Sequence, residues 1–249
     1  MTGENPLAVV IMAAGIGKRM KWDGPKALAP LDGRPMLAYA LATARALSPS
    51  RIVIVIGHKR EMIVSAFAEP DVAFAIQEPQ MGTAHAVLCA REALAGFSGD
   101  VAVLSADVPL IKPSTLRGMI QKKKEMGAAI AVLTIVLDQP GSYGRMVRDG
   151  ERIIATVEAR DANAGQLKIR EINSGVYVFD SEFLFRALDE VRNDNAQGEY
   201  YLTDLIAMAV TGGRAVVGVT ADDEMEALGA NTLEDLERLR SALRALSSL

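Results

Sequence analysis

Continuous runs of hydrophobic residues, separated by segments with the spacing of amphipathic helices, dominate the first half of the chain. A short apolar run bounded by glycine is typical of a strand that is buried on both faces of a parallel sheet. Such runs predict strands at 7–12, 51–56, 72–77, 100–104 and 128–137. Apolar residues at helical spacing predict helices at 36–47, 61–68, 83–94 and 113–126. Because strands alternate with helices, the pattern predicts an α/β fold with a doubly wound, parallel sheet.

The pattern changes after about residue 137, where the apolar stretches become shorter. They predict strands at 145–148, 152–158 and 172–179, then helices at 181–191 and 201–210, a strand at 214–219 and a final helix at 233–246. The Asp149-Gly150 pair between the first two of these strands is a hairpin signal. No low-complexity linker divides the chain, so we expect a single domain over residues 1–249.

Charge and composition exclude several classes of function. The formal net charge is −4, whereas nucleic-acid-binding domains are usually basic. Cys89 is the sole cysteine, so an internal disulfide cannot form, which fits a reducing compartment. The longest uncharged, mostly apolar run covers residues 127–137, which is too short to span a bilayer, and the N-terminus has no signal-peptide pattern. We therefore expect a soluble cytoplasmic protein that binds neither nucleic acid nor membrane.

A candidate phosphate site follows the first strand. The run Ala13-Ala14-Gly15-Ile16-Gly17 is built of small residues, and the cations Lys18, Arg19, Lys21 and Lys26 come after it. Small residues let backbone N–H groups approach an anion, and Arg and Lys neutralise phosphate charge. The same pattern also suits a tight strand-to-helix turn with solvated cations, and the full dinucleotide and P-loop fingerprints are absent. The residues alone leave both interpretations open.

Two further loops carry polar residues at strand ends. Asp107 follows a buried strand and is placed to hold Mg²⁺ against phosphates, although a turn or a helix cap would also explain it. Gln77 can donate and accept hydrogen bonds, which suits a nucleobase edge, and Gly82 would let a base approach the backbone. The alternative there is an ordinary loop in which Thr83 caps the next helix.

The second half of the chain offers candidates for sugar recognition. The segment Ser142-Tyr143-Gly144-Arg145, Glu158 and Asn173 lie at strand ends or turns, and hydroxyl, carboxylate and amide groups can match the hydroxyls of a sugar as acceptors and donors. Taken one at a time, each of them is better explained as a turn or surface residue. Asn231-Thr232 precedes Asp235 in the spacing of a helix capping box, which needs no further function.

Taken together, these motifs resemble a known family. The chain carries, in order, the segments AAGIGKRMKWDGPK, QEPQMGTAHA, SADVPL, GSYGRM, TVEARDA, EINSGVYVF, NAQGEYYLTD and LGANT. In this order and spacing they closely resemble the uridylyltransferase domain of the bifunctional bacterial N-acetylglucosamine-1-phosphate uridylyltransferase/glucosamine-1-phosphate acetyltransferase. The resemblance runs from Leu7 to about Arg238, and NAQGEYYLTD and EINSG are its most specific parts.

The resemblance implies a fold and an activity. The fold would be Rossmann-like, with a mixed, mostly parallel sheet flanked by helices and a small β-rich sugar-binding part. Residues 7–110 would form a nucleotide-binding half, residues 111–232 a sugar-phosphate-binding half, and residues 233–249 a C-terminal helix. The activity would be Mg²⁺-dependent transfer of UMP from UTP to N-acetylglucosamine 1-phosphate, which yields UDP-N-acetylglucosamine and pyrophosphate.

The same resemblance implies roles for individual positions. The nucleotide would be bound by Met12, Ala13, Ala14, Gly15, Arg19, Lys26, Gln77, Gln80, Gly82 and Thr83. The sugar would be bound by Ser105, Ala106, Gly144, Glu158, Asn173 and Asn231. The catalytic residues would be Arg19, Lys26 and Asp107, and Mg²⁺ would be held by Asp107 and Asn231. For Asn231, the resemblance therefore favours a metal-binding role over capping.

Two departures from the family pattern matter. Ser105-Ala106 stands where the family usually has an aromatic or polar residue and then glycine, so the substrate stays open. The alternatives are a related nucleotidyltransferase that uses glucose 1-phosphate or another nucleotide, and a non-catalytic nucleotide-sugar-binding domain. The sequence also ends soon after the last predicted helix, so we expect no acetyltransferase β-helix. Because that part builds the family's trimer, we expect a monomer or a weak homo-oligomer.

Overall fold

The computed structural model describes residues 5–20 and 22–247. Lys21, one member of the predicted cationic cluster, lies outside the described residues. The strands are β1 (Leu7–Met12), β2 (Pro30–Leu31), β3 (Arg34–Pro35), β4 (Arg51–Ile56), β5 (Val72–Ile76), β6 (Asp100–Ser105), β7 (Ile130–Val136), β8 (Arg145–Asp149), β9 (Arg152–Val157), β10 (Glu171–Asp180) and β11 (Val216–Thr220). The α-helices are α1 (Met36–Arg45), α2 (Arg60–Phe67), α3 (Thr83–Cys89), α4 (Pro113–Glu125), α5 (Ser181–Leu188), α6 (Asp204–Thr211) and α7 (Leu233–Ser247).

The central sheet is mixed but mostly parallel, as the expected fold class requires. Its strand order is β11-β7-β10-β6-β1-β4-β5, and the β8–β9 hairpin is attached to β10. Strand β10 runs antiparallel to β6 and β7, whereas β11–β7, β6–β1, β1–β4 and β4–β5 are parallel pairs. The chain moves from β1 to β4 and β5 on one side and then returns to β6 on the other. The strand order therefore reverses between β1 and β6, and α/β proteins bind ligands at the carboxyl ends of such a strand pair.

Hydrophobic layers cover both faces of the sheet. In β1, Val9 and Ile11 join the layer packed against α1, α2 and α4, while Ala8 and Val10 join the layer packed against α3, α5 and α6. This burial on both faces explains why the β1 sequence is continuously apolar rather than alternating. A third, smaller cluster joins Leu236 and Leu239 of α7 to the β2 region. No helix in the described part of the chain is long and apolar enough to cross a lipid bilayer.

The largest differences from the sequence prediction lie in three helices and one hairpin. The predicted helix at 181–191 ends at Leu188. The predicted helix at 83–94 ends at Cys89, because the next residues form three-residue turns such as Arg91 N to Leu88 O at 3.0 Å. The predicted helix at 201–210 begins at Asp204, since Leu202 N donates to Thr83 Oγ1 of α3 and the Thr203 hydroxyl donates to Glu158. The β2–β3 hairpin, which turns at Asp32-Gly33, was not predicted because its strands have two residues each.

Candidate functional site

A cleft of about 500 Å³ opens at the carboxyl ends of β1 and β6. These strands pair in parallel with Met12 opposite Ser105, so the loops that follow them meet at one edge of the sheet. The cleft is lined by Met12, Ala13, Ala14, Gly15, Ile16, Gly17, Arg19, Lys26, Ala27, Gln77, Gln80, Gly82, Thr83, Ala86, Ser105, Ala106, Asp107, Glu199 and Asn231. All ten positions expected to bind nucleotide are in this set, and so are Ser105, Ala106, Asp107 and Asn231.

The loop after β1 has the properties of an anion-binding segment. Within the described residues, the N–H groups of residues 14 to 17 have no hydrogen-bond acceptor. Gly17 has φ +71°, and a Cβ on it would lie 2.9 Å from Cβ of Lys26. The glycine thus lets the chain pass close beside Lys26. A row of free N–H groups next to a lysine is suited to phosphate oxygens.

Lys26 stands at the centre of the charged groups. Its Nζ donates to Asp107 Oδ2 and, at 3.0 Å, to Asn231 Oδ1. Arg19 Nη2 also donates to Asn231 Oδ1, at 3.1 Å. The Ser105 hydroxyl donates to Asp107 Oδ1 at 2.5 Å. The structure therefore brings together, from four separate segments, the three residues expected to be catalytic and both expected metal ligands.

These contacts keep Asp107 ionised. Burial alone would raise the pKa of Asp107, but the charge of Lys26 and the hydrogen bonds from Lys26 and Ser105 outweigh it, so the pKa is lowered from its ordinary value. Asp107 does not cap a helix, because α4 begins only at Pro113. Its carboxylate lines the cleft as an anion paired with Lys26.

The donor set fits a magnesium ion. The carboxylate of Asp107 and the amide oxygen of Asn231 both lie against one cationic nitrogen, Nζ of Lys26, so a single cation can reach both oxygens. Oxygen atoms are the ligands that Mg²⁺ prefers, and protein sites commonly supply only one or two of them, with phosphate and water completing the shell. In the described part of the chain, no group of three or more His, Cys, Asp or Glu residues surrounds one point.

Asn231 lies next to a helix capping motif, but its side chain takes no part in the capping hydrogen bonds. Asp235 Oδ2 accepts hydrogen bonds from the backbone N–H groups of Asn231 and Thr232, and Asp235 N donates to Thr232 Oγ1. The predicted capping box is therefore present at the start of α7. It uses the side chains of Thr232 and Asp235 and leaves the Asn231 amide to Lys26 and Arg19.

The other end of the cleft carries the residues expected to contact the base. Gln77 Nε2 donates to Gly82 O at 2.8 Å, and Gln80 Nε2 donates to Ala14 O at 2.7 Å. Thr83 does not cap α3 with its side chain. Its Oγ1 instead accepts a hydrogen bond from Leu202 N at 3.0 Å. The alternative that Thr83 caps α3 is therefore wrong, and Thr83 connects the cleft to the 200–203 segment.

Gly144, Glu158 and Asn173 lie together, but they are not among the residues that line the cleft. Asn173 N donates to Gly144 O at 3.0 Å, and a Cβ on Gly144 would lie 3.3 Å from Glu158 Oε1. Thr203 Oγ1 donates to Glu158 Oε1 at 3.2 Å. Since Leu202 bonds to Thr83 and Thr203 bonds to Glu158, the 200–203 segment connects this cluster to the cleft.

Near the site, Glu199 was assigned no role from the sequence, and Tyr143 was considered only for sugar recognition. Glu199 lines the cleft, and its signal was the NAQGEYYLTD segment, in which no single residue had been assigned a role. Tyr143 Oη accepts a hydrogen bond from Gly229 N at 3.0 Å, and Ala230 N donates to Asp107 O at 2.8 Å. Tyr143 therefore links the segment around Gly144 to the loop that carries Asn231.

Gly82→Ala is expected to weaken nucleotide binding about tenfold. Gly82 has φ +109° and ψ 178°, a region that is essentially restricted to glycine and costs other residues about 1–3 kcal/mol. The new Cβ would lie 2.5 Å from Tyr200 O, so the 200–203 segment must move. The tenfold rise in KM for nucleotide corresponds to about 1.4 kcal/mol.

Gly96→Ala is the matched control for this change. Gly96 has φ +70°, and no atom lies within 4 Å of the position that the added methyl group would take, so its variant carries backbone strain without a clash. Urea unfolding should show both variants destabilised, and only Gly82→Ala should raise KM. Equal KM values in the two variants would contradict the assigned role of Gly82.

Glu158→Gln is expected to alter the pH dependence of stability. Burial is the largest cause that raises the pKa of Glu158, and nearby Asp161, Asp204 and Glu199 raise it further, against the hydrogen bond from Thr203. The folded protein then holds this proton above pH 4.5, where the unfolded chain has begun to release it. Glu158 therefore contributes to the free energy of unfolding below pH 4.5. This contribution is lost as the pH rises through the pKa that Glu158 has in the folded protein.

Urea unfolding at several values from about pH 4 to about pH 8 tests this expectation. The Glu158→Gln variant should gain stability relative to the parent protein as pH rises. Glu92→Gln, at an exposed position, is the control and should track the parent. A stability difference between Glu158→Gln and the parent that is constant across this range would contradict the raised pKa.

The fold and the cleft together define an α/β protein of the nucleotide-binding transferase class. At the point where the strand order reverses, the described residues bring together N–H groups without acceptors, a lysine, an arginine and a carboxylate, a combination suited to phosphate. The chain belongs to the MobA-like NTP transferase domain family, whose model matches residues 9–248.

Curated proteins with similar sequences include bifunctional GlmU proteins. The chain is 45% identical over 241 residues to the bifunctional protein GlmU of Syntrophotalea carbinolica, covering 97% of this chain and 52% of that protein. It is 48% identical over 236 residues to the bifunctional protein GlmU of Thermus thermophilus, covering 95% of this chain and 51% of that protein. The chain thus spans about half the length of these relatives.

Solved structures support the fold. A putative glucose-1-phosphate thymidylyltransferase from Bacillus anthracis superposes with a TM-score of 0.78 at 20% identity, covering 96% of this chain and 95% of that chain. A UDP-glucose pyrophosphorylase in complex with UDP-glucose superposes with a TM-score of 0.76 at 19% identity, covering 97% of this chain and 99% of that one. At these identities the likeness establishes the fold class.

Proposed function

We propose that the chain transfers UMP from UTP to N-acetylglucosamine 1-phosphate in the presence of Mg²⁺, giving UDP-N-acetylglucosamine and pyrophosphate. The observation that carries the proposal is the meeting of Lys26, Asp107, Asn231 and Arg19 at one end of the cleft. A protein that only bound a nucleotide sugar would need cations for the phosphates, but it would not need a carboxylate and an amide oxygen beside the same ammonium group. The motif resemblance and the identity to bifunctional GlmU proteins support the choice of substrates.

The chemistry is a direct displacement at phosphorus. A phosphate oxygen of the sugar phosphate attacks the α-phosphorus of UTP and forms a new P–O bond. The bond from the α-phosphorus to the bridging oxygen breaks, and pyrophosphate leaves with the electron pair. No nucleophilic side chain is needed, so catalysis consists of positioning and of stabilising developing charge.

Each end of the cleft has a part in this reaction. The N–H groups of residues 14 to 17 and the side chains of Arg19 and Lys26 would bind the triphosphate and stabilise charge on the leaving pyrophosphate. Asp107 and Asn231 would hold Mg²⁺, which neutralises phosphate charge when bound. Gln77 and Gly82 would contact uracil, with Gln80 and Thr83 beside them.

The sugar would lie toward the cluster formed by Gly144, Glu158 and Asn173. Glu158 and Asn173 supply a carboxyl group and an amide that can match sugar hydroxyls and an N-acetyl group as donors and acceptors. Ala106 is buried and lines the cleft next to Asp107, so its methyl group limits the space on this side. We infer that the sugar reaches the cluster past Ser105 and Ala106.

A pyrophosphate-release assay with a panel of substrates tests the proposal. UTP with N-acetylglucosamine 1-phosphate and Mg²⁺ should give the highest kcat/KM. Glucose 1-phosphate in place of the amino sugar, and dTTP or CTP in place of UTP, form the comparison arms. Higher kcat/KM with another pair would reassign the substrate, and nucleotide binding without pyrophosphate release in any arm would reduce the protein to a binding domain.

A further inference from the structure

Gln77 is the buried polar side chain at the base end of the cleft, and the direction of its amide is fixed by two contacts. Its Nε2 lies 2.8 Å from Gly82 O and 3.3 Å from His85 Nδ1. A carbonyl oxygen can only accept, so the end of the amide that faces Gly82 must be the NH₂ group. Because an NH₂ group does not accept hydrogen bonds, His85 Nδ1 must be the acceptor in the second contact.

His85 can fill this role in only one protonation state. An acceptor at Nδ1 requires a neutral ring with its proton on Nε2. Nε2 lies 3.8 Å from Cys89 Sγ, a weak acceptor that suits an N–H donor. Burial lowers the pKa of His85, which favours the neutral ring that the two contacts require. His85 does not line the cleft, so it acts from behind Gln77.

This arrangement leaves a defined pair of groups for a ligand. Both N–H bonds of the Gln77 amide are used by Gly82 and His85. Its Oε1 accepts no hydrogen bond within the described residues, and this oxygen is accessible to solvent. The N–H of Gly82 has no acceptor there either. The cleft therefore offers an acceptor beside a donor. Uracil presents the matching donor N3–H beside the acceptor O4, whereas cytosine presents the acceptor N3 beside the donor N4–H.

We propose that His85 is a positioning residue that sets the base preference of the cleft, by holding the NH₂ of Gln77 inward so that Oε1 faces the base. Without His85 Nδ1, one of the two restraints on the amide is lost. A rotated amide would present NH₂ to the ligand, which favours N3 of cytosine and disfavours N3–H of uracil. The preference for UTP over CTP then falls, because a site that leaves a polar group unpaired discriminates against that ligand.

Equilibrium binding of UTP and of CTP, measured with Mg²⁺ by calorimetry, tests the proposal. The parent protein should bind UTP more tightly than CTP. His85→Phe keeps a ring but lacks Nδ1, and it should lower the ratio of the two affinities roughly 3- to 10-fold, the range that one hydrogen bond is worth. His85→Asn places its side-chain oxygen near the position of Nδ1 and should keep most of the ratio. If His85→Phe does not fold, His85→Gln replaces it, since its longer side chain leaves the Nδ1 position empty.

The role proposed for His85 rests on one part of the proposed function, namely that the cleft binds the nucleotide. The possible outcomes distinguish a failure of this role from a failure of the transfer reaction. An unchanged ratio in His85→Phe, an equal loss in His85→Asn, or a parent protein that binds both nucleotides alike would overturn the role of His85. A parent protein that prefers UTP but releases no pyrophosphate would leave the role of His85 standing and would disprove the transfer reaction.

Discussion

Lys26→Ala is expected to lower kcat for uridylyl transfer roughly 10²–10³-fold, the usual cost of removing one group that stabilises transition-state charge. Lys26 connects two loops of the cleft, because its Nζ donates hydrogen bonds to Asp107 in the loop after β6 and to Asn231 in the loop before α7. The alanine variant loses a cation beside the phosphates and also leaves the Asp107 carboxylate without its ion-pair partner. The measurement is steady-state pyrophosphate release at saturating UTP, sugar phosphate and Mg²⁺.

Lys124→Ala is the matched control for Lys26→Ala, because Lys124 is an exposed lysine on α4. It should leave kcat within a factor of two or so, as surface substitutions usually do. Unfolding curves for both variants show whether the Lys26 variant is folded at the assay temperature. A folded Lys26→Ala protein with nearly normal kcat would remove Lys26 from the catalytic set.

Asp107→Asn is the second change with a large expected effect, again roughly 10²–10³-fold in kcat. The substitution keeps the shape of the side chain and one oxygen but removes the negative charge. Lys26 would then face two neutral amide groups, and Mg²⁺ would lose its charged protein ligand. The rate should stay low at every Mg²⁺ concentration if the charge acts in the transition state. The assay is therefore a Mg²⁺ titration of pyrophosphate release.

Asp149→Asn provides the control for Asp107→Asn. Asp149 is exposed at the end of β8, and asparagine before Gly150 preserves the turn chemistry of the hairpin. This variant should titrate with Mg²⁺ as the parent protein does. Full recovery of kcat in Asp107→Asn at high Mg²⁺ would mean that Asp107 contributes only to metal affinity, and normal kcat at every concentration would refute the metal assignment.

Much of the fold could be predicted from local pattern, because the central strands β1, β4, β6 and β7 are buried on both faces. The continuous run Leu7–Met12 identifies β1 directly, whereas the small residues after it were compatible both with a phosphate site and with a tight turn. The β2–β3 hairpin escaped prediction because two-residue strands carry no periodicity. The late start of α6 could not be predicted, because it depends on hydrogen bonds from Leu202 to Thr83 and from Thr203 to Glu158. Hydrogen bonds between residues so far apart in the sequence produce no local sequence pattern.

The candidate site could be predicted only in part for a similar reason. Asp107 lies 81 residues from Lys26, and Asn231 lies 205 residues from it. No spacing rule joins these positions, so the residues alone gave separate candidates and the motif resemblance joined them. The contact between Gln77 and His85 shows the same limit, since a histidine on an amphipathic helix carries no sign of what its ring faces. Tertiary structure is needed to see that it restrains the amide beside the cleft.

Transfer of isotope from labelled UTP tests the central claim most directly. With UTP labelled at the α-phosphorus and N-acetylglucosamine 1-phosphate, we expect the label to appear in UDP-N-acetylglucosamine and none to remain on the denatured protein. With the label at the γ-phosphorus, it should appear in pyrophosphate alone. Label retained on the protein would contradict direct displacement, and bound UTP that yields neither labelled product would contradict the transfer reaction itself.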